Sequence, residues 1–185
     1  MECDRTYDYE IRQILPGETL VLHQLQARSW LATYPSEENG VSREWVEERT
    51  SSWLTPEKIS ESEEFLQTVL DDPNQLHRVA TKDGRIVGFV HATKKEDGTQ
   101  ELNAIYTDPE TFGTGLGDQL MTIVDEWLGD RDVELEVAIY NHRAILFYEK
   151  HGFVIVPGSE RDYSDVIPVV KMLRRSKSQH TRETI

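Results

Sequence analysis

The chain has a single cysteine, Cys3, so no intrachain disulfide can form. It also lacks C-x-x-C and H-E-x-x-H, the spacings that would announce a metal site, and no metal is expected. Nowhere do ~18 apolar residues run together, so no membrane span is expected. The opening stretch MECDRTYDYEIRQ is charged and lacks the apolar core of a secretory leader, which points to a cytoplasmic protein. Positive charge is scarce as well: 20 Lys and Arg stand against 34 Asp and Glu, a net charge of −14. Such a surface repels nucleic-acid phosphates and anionic membranes, so neither is expected as a partner, whereas cationic molecules would be attracted. No internal repeat is present.

What is there is a chain of 185 residues, 37% apolar and 29% charged, the composition of one soluble domain with a sizeable core. Residues 1–175 are expected to form that domain. Ser176 to Ile185 are polar and are expected to be a disordered tail.

The most informative stretch runs from Leu102 to Phe153. A strand leads into Gly113, Gly115 and Gly117, which open a helix. Backbone N–H groups and the helix dipole converge there, and such a point binds phosphate. Leu116, Leu120, Ile123, Val124, Trp127 and Leu128 share one face at a period of 3.6, so the loop sits on a firm helix. A P-loop would need Lys after the last glycine, but Asp118 stands there. A dinucleotide fingerprint would need G-x-G-x-x-G, whereas these glycines are spaced G-x-G-x-G. Glu134 or Glu136 lies ~20 residues on, where a ribose-binding acid would stand, so the loop alone leaves the dinucleotide reading open.

The next segment decides against it. After a strand from Val133 to Ile139 comes NHRAILFYEKHGF, with Asn141 as N-cap and Gly152 as C-terminal stop of a short helix. Asn141 and Tyr148 are seven residues apart, so an amide and a phenol lie on nearly one face, roughly 10 Å apart along the axis. Here the chain resembles the GNAT superfamily of acetyl-CoA dependent N-acetyltransferases, through the glycine loop followed by Asn141, Ala144, Phe147, Tyr148, Gly152 and Phe153. One position departs from the family pattern: Phe112 stands where the family carries Gln or Arg. Backbone donors survive that change, and one polar contact is expected to be lost.

The resemblance implies an α/β (α+β) fold with a mixed, mostly antiparallel central sheet flanked by helices. It implies acetyl-CoA as acetyl donor, its pyrophosphate held at Gly113, Thr114, Gly115, Leu116, Gly117 and Asp118. By the same carry-over the backbone of Ile105, Tyr106 and Thr107 pairs with the pantetheine arm and supplies the oxyanion donor, and Asn141 bonds that arm. Tyr148 is then the general acid: a phenol of reference pKa ~10 is protonated at neutral pH and can donate to a thiolate of pKa ~8.5. Glu136, on the solvent face of its strand, is the candidate base, matching a glutamate in an LEV context in the ribosomal-protein alanine acetyltransferases of the family. Water is the other candidate.

The rest of the chain is consistent with this. Strand-like alternation from Tyr7 to Ile14 precedes a helix over Leu20 to Leu31. Ser42 caps a second helix, and Thr55-Pro56 opens a third that ends near Asp72-Pro73. Runs from His77 to Thr81, Ile86 to Thr93 and Glu101 to Thr107, separated by Asp-Gly turns, predict an antiparallel meander, and Val166 to Leu173 predicts a closing strand. Residues 37–64 hold nine acids and three bases, and Trp30, Trp45 and Trp53 lie in or beside them. These tryptophans are expected to pack helices on the sheet, with Trp30 and Tyr34 the ones that reach an acceptor, a small-molecule or peptide amine, by cation–π attraction. A homodimer is expected by analogy only. Beside the enzyme stands a second reading, an acetyl-CoA-binding or sensing module without turnover. A dehydrogenase would need a second nucleotide-binding half for which this length leaves no room.

Overall fold

The computed structural model describes residues 8–176. Strand β1 (Glu10–Gln13) leads into three helices, α1 (Thr19–Thr33), α2 (Arg43–Ser51) and α3 (Pro56–Val69). Then come the meander β2 (Gln75–Lys82), β3 (Arg85–Lys94) and β4 (Gln100–Thr107), helix α4 (Leu116–Leu128), β5 (Val133–Ala138) and α5 (His142–Lys150). Two short strands, β6 (Val154–Ile155) and β7 (Arg161–Tyr163), precede the long β8 (Ile167–Arg174). The expected elements are present, and their ends obey local chemistry. Ser42 Oγ accepts from Trp45 N–H at 3.1 Å and Thr55 Oγ1 from Lys58 N–H at 3.3 Å, so each hydroxyl caps the helix it precedes. Tyr7 lies outside the described residues, as does the predicted tail from residue 177 onward. Ser176, the first residue assigned to that tail, is buried, and its N–H donates to Asp132 Oδ1.

The eight strands form one sheet in the order β1-β2-β3-β4-β5-β8-β6, with β7 also on β8. Only β4 and β5 run parallel; every other pairing is antiparallel. Central β3 is buried on both faces. Val87, Val90 and Ala92 meet α4, while Ile86 and Phe89 meet Leu25 of α1 and Leu66 of α3. Helix α4 buries Leu116, Leu120, Met121, Val124 and Leu128. Met121 is fully buried although the predicted stripe omitted it, and Trp127 lies at the edge of the core beneath the ammonium of Lys94. Ile139, predicted as the last residue of β5, is exposed, because the strand ends at Ala138.

Two features of the sheet create the site. In the β3–β4 ladder, Leu102 pairs with Ala92 and Ala104 with His91, so Asn103 is an extra residue, a bulge that bends β4 and increases its twist. On its other side, β4 pairs with β5 only at Gln100↔Val133 and Glu101↔Glu134. Beyond that point the parallel strands separate, and the backbone of β4 from Leu102 to Thr107 borders a cleft instead of a neighbouring strand.

Candidate active site

Helix α4 begins at the glycine loop. Gly113 and Gly115 take φ of 77° and 84°, the left-handed region that glycine enters without strain. Gly117 is inside the helix, and its role is different: a Cβ there would lie 3.2 Å from Phe147 Cε2, so the missing side chain lets α5 approach α4. Gln119 N–H makes the first bond back to the loop, to Gly115 O at 3.1 Å. The N–H groups of Leu116, Gly117 and Asp118 therefore have no acceptor within the helix, which makes this end electropositive. Thr114 is turned away from the loop cavity. Its N–H and its Oγ1 both donate to Thr111 O, Oγ1 also meets Tyr9 OH, and Thr114 does not line the loop cavity. The carboxylate of Asp118 is likewise occupied, by Lys150 Nζ and His151 Nε2 of the α5 end, which hold its pKa below the usual carboxylate range. Only its backbone N–H remains for a ligand.

A cavity of about 280 Å³ lies over the loop, bordered by Gly113, Gly115, Leu116, Gly117 and Asp118, by Phe112, and by Arg143, Phe147 and Tyr148 of α5. A narrower cleft of about 120 Å³ continues it along the open edge of β4, past Ile105, Tyr106 and Thr107. Its opposite wall is Asn141 and Tyr148. Asn141 Oδ1 caps α5 by accepting from Ala144 N–H at 3.2 Å, and its Nδ2 makes no hydrogen bond among the described residues. The Tyr148 hydroxyl also makes none, and burial together with the nearby Tyr106 phenol pushes its pKa well above the ordinary tyrosine value. Tyr148 borders both the loop cavity and the cleft.

A third space, about 280 Å³, adjoins the cleft on the side of α1. Trp30, Tyr34, Tyr106, Tyr163, Glu101 and Glu136 face it. Trp30 is buried within an aromatic group, edge-on to Tyr34 at 4.5 Å and to Trp53 at 4.7 Å, and its Nε1–H donates to Tyr106 OH at 3.0 Å. Trp45 and Trp53 pack against the same group without bordering the space, which bears out the structural role expected of them. Glu136 borders both the cleft and this space. Both of its oxygens accept from the Arg161 guanidinium on β7, Oε1 from Nε at 2.7 Å. Glu134, the other strand carboxylate, is tied between Lys171 of β8 and Lys95 of the β3–β4 turn, which lowers its pKa and removes it from any ribose-binding role.

Sequence reasoning did not find three contributors. Asn103 leaves no local signal, since a bulge is a property of two paired strands. Arg161 sits on a three-residue strand beyond Pro157-Gly158 and meets Glu136 only through the β5–β8–β7 pairing. Arg143 could have been noticed, because it lies in the first turn of the helix that Asn141 caps. Among the described residues no group of three or more His, Cys, Asp or Glu could hold a metal ion, and no helix is long and apolar enough to cross a membrane.

Comparison with known proteins agrees with this architecture. Residues 22–153 match the family model described as "Acetyltransferase (GNAT) family". An uncharacterized N-acetyltransferase of Mycobacterium bovis is 39% identical over 90 residues, covering 46% of this chain, and the match spans 57% of the relative's length. Among solved structures, an acetyltransferase of the GNAT family from Streptococcus pneumoniae superposes with a TM-score of 0.68 at 27% identity, over 90% of this chain and 98% of that one. PaiA N-acetyltransferase from Thermoplasma acidophilum, solved in complex with coenzyme A, shares the fold with a TM-score of 0.69 at 22% identity, over 91% of this chain and 99% of that one.

Proposed function

This chain belongs to the GNAT acetyltransferase family, and from that premise we propose that it moves the acetyl group of acetyl-CoA directly to a primary amine of a small molecule or a protein N-terminus. The observation that carries the reading is the position of Tyr148, a protonated phenol bordering both the glycine-loop cavity and the cleft along β4. A donor whose pyrophosphate meets the N–H groups at the start of α4 would extend its pantetheine arm along the open edge of β4, like an added strand. Its thioester would then lie in the cleft, between Tyr148 and the space faced by Trp30, Tyr34 and Glu136.

In the transfer the lone pair of a neutral amine forms a C–N bond to the thioester carbonyl carbon, and the C–S bond breaks with its electron pair on sulfur. Backbone N–H groups of β4 between Ile105 and Thr107 stabilise the charge developing on the carbonyl oxygen. Tyr148 gives its proton to the departing thiolate. The incoming ammonium group displaces Arg161 from Glu136, which takes the proton whose loss leaves the amine neutral, and the second proton, released by nitrogen as the C–N bond forms, passes to water. The carboxylates and aromatic rings around the acceptor space suit a cationic amine.

The test is thiol release from acetyl-CoA across a panel of amines, with Tyr148→Phe measured in parallel. Amine-dependent release that falls about hundredfold in the variant, with acetyl-CoA binding intact, is the expected outcome. Acetyl-CoA binding without turnover on any amine would favour the sensing module, and absence of binding would overturn both.

A further inference from the structure

Phe112 and Arg143 meet at the boundary between the loop cavity and the cleft, and both side chains border both spaces. The guanidinium carbon of Arg143 lies 3.4 Å from the centroid of the Phe112 ring, so the planar cation is held against the aromatic face. Arg143 comes from the first turn of α5, and Phe112 immediately precedes the first loop glycine. The two elements thus close on the loop from opposite sides.

The charge balance here is unusual for so acidic a chain. Of the residues bordering the loop cavity only Asp118 and Arg143 are charged, and Asp118 is already bound by Lys150 and His151. Arg143 takes part in no ion pair and no side-chain hydrogen bond among the described residues, and burial lowers its pKa with no carboxylate acting in the opposite direction. In a protein with 34 acidic residues, the guanidinium of this exposed arginine is stacked on a ring instead of paired. Stacking consumes the face of the guanidinium and leaves its N–H edge free, the edge that grips phosphate oxygens through two parallel hydrogen bonds. The N–H groups of Leu116, Gly117 and Asp118 border the same cavity.

We infer that Arg143, oriented by Phe112, is a diphosphate-binding side chain that closes the glycine-loop site from the α5 side, supplying the polar contact that Phe112 itself cannot make. The inference rests on the acetyl-CoA reading above and adds to it a named residue pair. Phe112 then has a positive role as the platform for the cation. A positively charged clamp at the diphosphate also specifies which part of the donor it reads: the linkage between nucleotide and arm, as opposed to the thioester or the 3′-phosphate.

The experiment titrates wild type, Arg143→Gln, Phe112→Ala and the double variant Arg143→Gln/Phe112→Arg with CoA, dephospho-CoA and pantetheine. Thermal unfolding of each variant is measured alongside to verify folding. Losing one charge-assisted contact is expected to weaken Arg143→Gln about tenfold toward CoA and dephospho-CoA, while pantetheine, which has no diphosphate, binds as before. Phe112→Ala should show the same pattern at smaller size. The double variant should regain most of the loss, which a merely structural role for Arg143 would not permit. Unchanged CoA affinity in Arg143→Gln overturns the inference. So does an equal loss for pantetheine, which would place the contact on the arm, or a loss confined to CoA, which would place it on the 3′-phosphate. Failure of the wild-type protein to bind CoA at all would instead overturn the acetyl-CoA reading beneath it.

Discussion

Tyr148 and Glu136 are both polar groups beside one cleft, and their surroundings push them toward opposite duties. Tyr148 is buried among Phe147, Phe153 and Tyr106, where a phenolate would be poorly solvated, so the phenol holds its proton at neutral pH and can donate it as the C–S bond breaks. Glu136 is exposed and already grips a cation, which marks it as the group an ammonium would seek. Glu136→Gln is expected to lower kcat about hundredfold with a small change in acetyl-CoA KM, read from steady-state rates with a good acceptor. A change in acceptor KM alone would assign Glu136 to binding and leave the proton to water. The identities of Tyr148 and Asn141 were legible because a short helix with a cap and a stop carries its own motif. Arg161 was not, since its partner lies 25 residues earlier in the chain.

At the level of elements, the site depends on how closely α4 and α5 approach. Gly117 and Phe147 define that distance, and α5 carries Asn141, Arg143 and Tyr148. Gly117→Ala would place a methyl 3.2 Å from the Phe147 ring, so α5 must shift by a few tenths of an ångström. The expected cost is ~1 kcal/mol of stability, because overpacking outweighs the helix propensity gained by alanine, together with a several-fold rise in acetyl-CoA KM. Urea unfolding and steady-state kinetics separate the two effects. An unchanged KM would show that the phosphate end of the site does not depend on this contact. A similar close approach occurs at Gly88 of β3, where a Cβ would lie 3.1 Å from Leu116 and 3.3 Å from Leu120. The start of α4 is thus seated directly on the sheet. From sequence alone all three loop glycines read as one phosphate signature, whereas the structure divides them into two that turn the chain and one that admits a neighbouring helix.

At the scale of the whole molecule, a pair of histidines in the sheet makes stability sensitive to acid. His77 and His91 face each other across β2 and β3 with ring centroids 4.0 Å apart, and burial lowers the pKa of each to about 4. His23, on α1, is lowered by burial as well. Folded, these imidazoles remain neutral between about pH 4 and pH 6.5, whereas in the unfolded chain they take up protons in that window. The unfolded state therefore binds more protons, and stability falls as pH drops from 6.5 toward 4. The expected loss is on the order of 2 kcal/mol for the pair after allowance for solvent screening, and Tm measured between pH 7 and pH 5 should decline. His91→Gln should flatten that decline; a wild-type Tm independent of pH would refute the account. The kind and order of the main elements, though not the short β6 and β7, followed from sequence alone, because helix period, strand alternation, caps and Asp-Gly turns act over a few neighbouring residues. So did the loop and the motif of α5, each contained in one stretch. The bulge at Asn103, the parting of β4 from β5, the Phe112–Arg143 stack and the Glu136–Arg161 pair were decided by tertiary structure. Each is a relation between residues from different elements, which meet only when burial of the apolar faces fixes how the helices and the sheet lie together.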